Sequence, residues 1–394
     1  MSFKKTIPLL MVGCLTGCNI VMSSSEITNS NTTTSSSIDS TSSNTSNTSS
    51  NTSIDNSETS SSIQSPSIND YNSTPRQMEM EEEGYVGLFK DVNFKKGFRV
   101  TKCTYGSGES PYHDNKKINL YDIDNNPNSF DWTIAQWSSK YDLMADYGYS
   151  HSQDETGLIH TIQGSGKTLD GTFYPSKKLI FDSTNGEMYL ECNTCIEYDT
   201  PRTGTEPWVH LLLEPSEFTI NNNLVKISDY NELLMECDYE VTKFEDFLGD
   251  KTNTSVHAAQ FVWYITLQNR NPESKGYGRY IWFGLNLFDN RTAGKKTNLY
   301  SAYDAGTGTG IYSPASDDYL ILNSGYIPTI NQRATARLNV IEYAKKAYDE
   351  GVKNGYFDDT TFDDLYVTGG NFGYEVPGTY NIGAKIYSMN IYVK

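Results

Sequence analysis

Between Gly84 and about Tyr326 apolar and polar residues alternate with a period of two, in runs rich in Tyr, Phe, Trp, Ile and Val that Gly, Asn and Asp interrupt. That period puts successive side chains on opposite faces of a strand, so the pattern predicts a mainly β, antiparallel protein. The expected strands are Phe98–Tyr105, Phe130–Trp137, Lys177–Phe181, Glu187–Tyr198, Trp208–Leu213, Gln260–Arg270 and Arg279–Asp289. No strand-helix alternation occurs. This excludes a doubly wound sheet and a (β/α)-barrel, and argues against a two-lobed transporter-type binding protein, whose lobes need crossover helices. One helix is expected between Asn331 and Asn354, where Leu338, Ile341, Ala344, Tyr348 and Val352 form a stripe and Gly355 stands to end it. Final strands follow near Leu365–Val367 and Ile382–Val393. The whole reads as one antiparallel β-sandwich domain, residues 79–394, with one flanking C-terminal helix.

The first part of the chain has a different pattern. Lys4 and Lys5 precede an apolar run from Ile7 to Leu15, the charged and apolar parts of a secretory signal too short to span a bilayer. Leu15-Thr16-Gly17-Cys18 closes that run and resembles the lipobox of bacterial lipoproteins. The resemblance implies cleavage after residue 17, lipidation of Cys18, and a chain anchored to the bacterial cell membrane and exposed at the cell surface. Several acyl chains on one residue hold stably, at about 0.8 kcal/mol per buried methylene. From Ser23 to about Pro75 the residues are almost all Ser, Thr and Asn, which bury too little to fold, so residues 18–78 are expected to form a lipidated, disordered linker. Its typical span is about 40 Å. Asn-x-Ser/Thr triplets recur there, as at Asn51 and Asn72, through composition, and the acidic cluster Glu79–Glu83 closes the linker.

The net charge of −18 over 394 residues disfavours nucleic acid, anionic lipid and phosphate-rich polymers as partners, and favours neutral ones. The membrane is then met through the lipid anchor only. Of six cysteines, Cys14 and Cys18 belong to the export segment, and Cys103, Cys192, Cys195 and Cys237 permit three pairings. Cys192 and Cys195 form a C-x-x-C within an expected strand, where odd spacing sends them to opposite faces, and no second C-x-x-C completes a zinc site. Asp122-Ile123-Asp124-Asn125-Asn126-Pro127 begins like a calcium loop, but Pro127 replaces the needed glycine and Thr133 the bidentate acid. That excludes an EF-hand and leaves a looser structural calcium as the one cofactor to consider. Gly164-Ser165-Gly166-Lys167-Thr168 lacks the first glycine of a phosphate loop, since Ile159 stands there, so no nucleotide is expected.

Candidate chemistry follows from the faces. Phe261, Trp263, Ile265 and Leu267 share one side of their strand, opposite Gln260, Tyr264, Thr266, Gln268 and Arg270. Ile281, Phe283, Leu285 and Leu287 oppose Tyr280, Trp282 and Asn286, and Val209, Leu211 and Leu213 oppose Trp208, His210 and Glu214. Three second faces thus mix aromatics with amides and charges. Such a mixture suits a neutral polysaccharide or oligosaccharide, an aromatic ring covering the C–H face of a pyranose while polar groups bond its hydroxyls. The densest polar run, Glu197 to His210, supplies Glu197, Glu206 and His210 as candidate catalytic groups and Tyr198, Arg202 and Trp208 as substrate contacts. Asp289-Asn290-Arg291, with Asp304 and Tyr312, forms a second cluster, and a Gly-rich rim from Asn371 to Tyr380 carries Glu375. Glu375 with a glutamate of the first run would give the two carboxyls of glycoside hydrolysis.

Glu197-Tyr198-Asp199 begins like the E-x-D-x-x-E strand of laminarinase-type jelly-roll glucanases. Arg202 occupies the closing position, so the resemblance carries the fold and not the catalytic pair. The sandwich resembles carbohydrate-active domains of jelly-roll or concanavalin-like kind in layout. The expected function is therefore a surface lipoprotein that binds and processes a neutral glycan, as a glycoside hydrolase or polysaccharide lyase. A non-catalytic glycan-binding or adhesion module, or a structural envelope protein, are the alternatives.

Overall fold

The computed structural model describes residues 73–394 apart from 102, 106–107, 110–115, 119, 121–129, 146–147, 168–171 and 305–306. Cys18, the linker up to residue 72 and the Asp122–Pro127 segment lie outside the described residues.

In chain order the elements are α1 (Pro75–Glu82), β1 (Val86–Gly87), β2 (Phe98–Val100), β3 (Thr104–Tyr105), β4 (Gly108–Glu109), β5 (Lys116–Ile118) and β6 (Trp132–Ala135). There follow β7 (Ser150–Gln153), β8 (Ile159–Lys167), β9 (Phe173–Asp182), β10 (Met188–Asn193), β11 (Val209–Pro215), β12 (Thr219–Ile220), β13 (Asn223–Lys226) and β14 (Leu233–Asp246). The last are β15 (Gln260–Asn269), β16 (Tyr280–Asp289), β17 (Tyr300–Asp304), β18 (Thr309–Ser313), β19 (Arg333–Asn339), α2 (Val340–Lys353), β20 (Leu365–Val376) and β21 (Tyr380–Val393).

These strands make a β-sandwich of the jelly-roll kind. One sheet runs β19-β14-β21-β10-β9-β8-β7, with β1 paired to β21; the other runs β17-β18-β16-β15-β20-β11-β6-β2-β5, with β13 paired to β20 and β12 to β13. Pairing is antiparallel except for β2 with β6 and β16 with β18. The inward residues predicted from alternation on β11, β15 and β16 are all buried between the sheets, with Tyr239, Phe372, Tyr374 and Ile386 among their neighbours in one core. Two buried tyrosines tie the layers together. Tyr239 of the first sheet donates to the carbonyl of Leu287 in the second at 2.6 Å, and Tyr374 of the second donates to Leu190 of the first at 2.9 Å. Each hydroxyl thereby keeps a partner that burial would otherwise deny it.

Two expectations need correction. The stretch predicted as a single helix divides at Asn339: Arg333–Asn339 is the edge strand β19, with Ala334, Ala336 and Leu338 inward, and only Val340–Lys353 is helical. The buried stripe of α2 is Val340, Ala344, Ala347 and Gly351, whereas Val352 is exposed. The other correction concerns the acidic cluster after the linker, which lies largely within α1. Thr74 caps that helix, Pro75 occupies its first turn, Met80 is buried, and Arg76 bonds Glu236 at 2.6 Å.

Helix α2 ends as its glycine predicts. Gly355 has φ +75°, its N–H reaches Val352 and that of Tyr356 reaches Gly351, so two terminal carbonyls are satisfied. Gly355→Ala should therefore cost about 1 kcal/mol, read as a lower denaturation midpoint with an unchanged m-value.

Candidate functional site on the outer face of the eleven-stranded sheet

Strand β20 places the central group. Tyr374 is locked into the core by its bond to Leu190, so alternation sends Glu375 to the outer face. Register then builds a row across four strands: His210 of β11 lies opposite Glu375, Glu375 opposite Gln260 of β15, and Gln260 opposite Asp289 of β16. A bulge between Phe261 and Val262, facing Phe288 and Asn286, lets Asp289 join the row although Leu287 and Phe288 are both buried. The next row along is apolar, with Leu212 and Val262 flanking Gly373. Beyond it Asn371 and Tyr264 are paired, and Tyr264 lies over Gly284, where any β-carbon would strike its ring.

The side chains of His210 and Glu375 keep about a fifth of their surface open and sit 3.9 Å apart. Burial raises the Glu375 carboxyl to about 7, and the charge of Asp304 adds to that rise. His210 is lowered to about 4, again by burial, so its imidazole is neutral near pH 7 and the pair is not a salt bridge. Four buried polar atoms on this face have no hydrogen-bond partner: His210 Nδ1, Gln260 Oε1, Asn286 Oδ1 and Asn371 Oδ1. Leaving such atoms unpaired costs about 1–3 kcal/mol each, so their concentration on one face marks groups available to a ligand. A second carboxyl, Glu214, is also raised to about 7 by burial, with Arg99 opposing the rise.

Aromatic rings flank these groups. Tyr264, Trp282 and Tyr280 follow one another edge to face, at 6.3 and 5.4 Å between centroids. Trp282 Nε1 donates to Thr307 Oγ1 at 3.2 Å, and Thr307 in turn bonds Asp304, which ties the turn between β17 and β18 to this face. On the other side Trp137 meets the His210 ring edge-on at 5.9 Å. Trp208 is 40% exposed, two residues before His210 on the same face.

The structure therefore brings together His210, Glu375, Tyr264, Trp282, Asn286 and Asp289. Glu375 sits within a strand instead of on a rim, and its neighbour is His210, not a glutamate of the Glu197–His210 run. The rest of that run is occupied in holding the loop. Glu197 is buried, accepting from Ser139 Oγ and from Lys140 N, each at 2.6 Å, in a turn that begins where β10 stops at Asn193. Tyr198 donates to the carbonyls of Pro207 and Val376, and Arg202 to those of Glu206, Val256 and Gly204. The Glu206 carboxylate caps its own turn through the N–H groups of Thr203, Gly204 and Thr205. Gln268 bonds Gly278 and Arg270, while Arg291 closes on Asp289 through three contacts from its guanidinium. Cys103, Cys192, Cys195 and Cys237 are all unpaired. Among the described residues no group of three His, Cys, Asp or Glu is arranged to hold a metal.

No protein-family model matches the chain, and no curated protein does. Among solved structures it is similar to the family 12 xyloglucanase of Bacillus licheniformis, at 14% identity over 62% of this chain and 97% of that one, with a TM-score of 0.35. It is also similar to the xyloglucanase domain of NopAA, a type three effector of Sinorhizobium fredii, in complex with cellobiose (12% identity, 64% and 98% covered, TM-score 0.33). A third is endoglucanase 3 of Trichoderma harzianum, from family GH12 (10% identity, 66% and 98% covered, TM-score 0.31).

Proposed function

We propose that the outer face of the eleven-stranded sheet binds a neutral glycan and that Glu375 exchanges a proton with its glycosidic oxygen. The observation that carries this reading is a carboxyl with a midpoint of about 7, set between an imidazole and an amide whose buried polar atoms lack partners. A carboxyl poised there can donate or accept a proton at neutral pH. A neutral ligand suits the groups that adjoin Glu375 in the sheet: His210 is uncharged, Gln260 and Asn371 are amides, and Asp289 is neutralised by Arg291. Tyr264 with Trp282 offers a ring surface for the C–H faces of the sugar. Asp304, whose charge is felt at Glu375, is the carboxylate to complete the pair that hydrolysis needs.

A second reading, a non-catalytic glycan-binding module, is favoured by Gln260. On the β15 side the residue next to Glu375 in the row is an amide that cannot act as nucleophile or base. In either case the chain is a surface lipoprotein held through Cys18, a reading that rests on its lipobox-like stretch.

A glycan array run beside a reducing-sugar and unsaturated-product screen separates the readings. Release of product by the purified chain supports an enzyme, and binding without product a module. Trp282→Ala should weaken binding by about 5- to 30-fold in both cases, since a stacked ring is worth about 1–2 kcal/mol. Wild-type affinity in that variant would remove the aromatic stretch from the site.

A further inference from the structure

The outer face of the other sheet carries a cavity of about 200 Å³, and its lining is polar: Gln163, Ser176, Lys178, Glu191, Asn193 and Lys243. Register assembles it. Gln163 of β8 and Glu191 of β10 both lie opposite Lys178 of β9, Glu191 lies opposite Gly383 of β21, and Gly383 opposite Lys243 of β14. Gly383 has no side chain to fill its place, and Tyr189 leans its hydroxyl over that gap. The same hydroxyl donates to Glu191 Oε2 at 2.8 Å, and Lys243 Nζ bonds Oε1 at 2.8 Å, so the carboxylate is held from both sides.

A ladder of cross-strand charges would need no more than this. Two groups go further. Ser176 is 1% exposed and its Oγ has no hydrogen-bond partner, an arrangement with a cost unless something in the cavity bonds it. The Lys178 ammonium forms no ion pair or hydrogen bond among the described residues, although Glu191 faces it across the strands. Asn193 Oδ1 accepts from the N–H of Cys195 at 3.1 Å, which leaves its NH₂ as the free end.

The charges select the ligand. Lys177, next in sequence, turns its ammonium inward to Ser139 and does not count. Two ammonium groups and one carboxylate remain, a single net positive charge in a chain of net charge −18. That balance suits a monocarboxylate and leaves a phosphate dianion under-compensated. The serine, the amides and the volume, below the range that accepts a drug-sized molecule, suit one polyhydroxylated ring. We propose that this cavity binds the carboxylate of a hexuronate ring, free or as the end residue of a glycan, independently of the opposite face.

Calorimetric titration of the full chain with sodium glucuronate, with glucose at equal concentration and with an oligosaccharide ending in glucuronate tests this. Saturable binding of glucuronate, none of glucose, a loss of tenfold or more in Lys178→Met and of several-fold in Ser176→Ala are the expected results. Tighter binding of the oligosaccharide assigns the site to a glycan end, and equal binding to the free acid. The Glu375→Gln variant should titrate as wild type, which keeps this site distinct from the glycan face. Absence of saturable binding, affinity unchanged in both variants, or displacement of glucuronate by inorganic phosphate at equal affinity would each overturn the proposal.

Discussion

Replacing Glu375 by Gln should lower glycan turnover by about 10²–10⁴-fold while sugar affinity stays within a few-fold, because the amide keeps the shape and hydrogen bonding of the carboxyl and loses only its proton. Wild-type turnover should fall as pH rises through about 7, where the acid form is lost. The same substitution should raise stability in alkaline solution. Folding lifts this carboxyl from its ordinary 4.5 to about 7, so the folded state holds the proton more tightly than the unfolded one. The cost of ionising it in the fold is absent below about 4.5, grows between 4.5 and 7, and is complete above 7. Its size is on the order of 3 kcal/mol. Glu375→Gln should accordingly melt above wild type at pH 8 and with it at pH 4.5. A group kept at such a cost is what a reactive site requires, whereas a stabilising role would reverse the sign. Equal turnover in the variant and wild type would remove Glu375 from the chemistry.

The second large effect belongs to Glu197. Its carboxylate and the ammonium of Lys177 are 3.8 Å apart with side chains essentially closed to solvent, and Lys177 also reaches Ser139 Oγ at 2.7 Å and the carbonyl of Tyr141. Glu197→Ala leaves that ammonium buried without its counter-charge, a change that costs about 3–5 kcal/mol. Chemical denaturation should show the loss directly, and glycan affinity of the remaining folded protein should be unaffected. A midpoint within error of wild type would mean that the ammonium is compensated by other groups. The two glutamates thus have opposite expected signatures: Glu375 lowers activity and raises alkaline stability when removed, Glu197 lowers stability alone.

What alternation could reveal in the chain was considerable. The outward positions of His210, Tyr264, Trp282 and Asn286 follow from the period of their own strands, because each strand buries one face and the partner residues are two apart in sequence. Which of them meet does not follow. Glu375 is 165 residues from His210 in number and one strand away in space, and no local pattern encodes that register. For that reason the Glu197–His210 run, dense in polar groups, looked more promising than it is. Its loop consumes those groups internally through Glu197, Arg202 and Glu206. Strand β19 was hidden by its alanines: Ala334 and Ala336 are small enough to fit a packed edge and are also good helix formers, so the segment resembles the start of α2. Helix α1 did carry a signal, Thr74 followed by Pro75, but its charged surface made it look like the end of the linker.

The order of strands also determines how the sandwich can form. Strands β20 and β21, the last made, occupy interior places in their sheets: Leu211 pairs with Tyr374, and Met188 with Ile386. Until residues 365–393 arrive, β10, β11, β14 and β15 each have an edge with nothing beside it. Folding is therefore dominated by contacts distant in sequence, which makes it slow, and a chain emerging from its amino end cannot close either sheet early. An incompletely made chain therefore stays open until its final strands are released, and its two sheets close late and together.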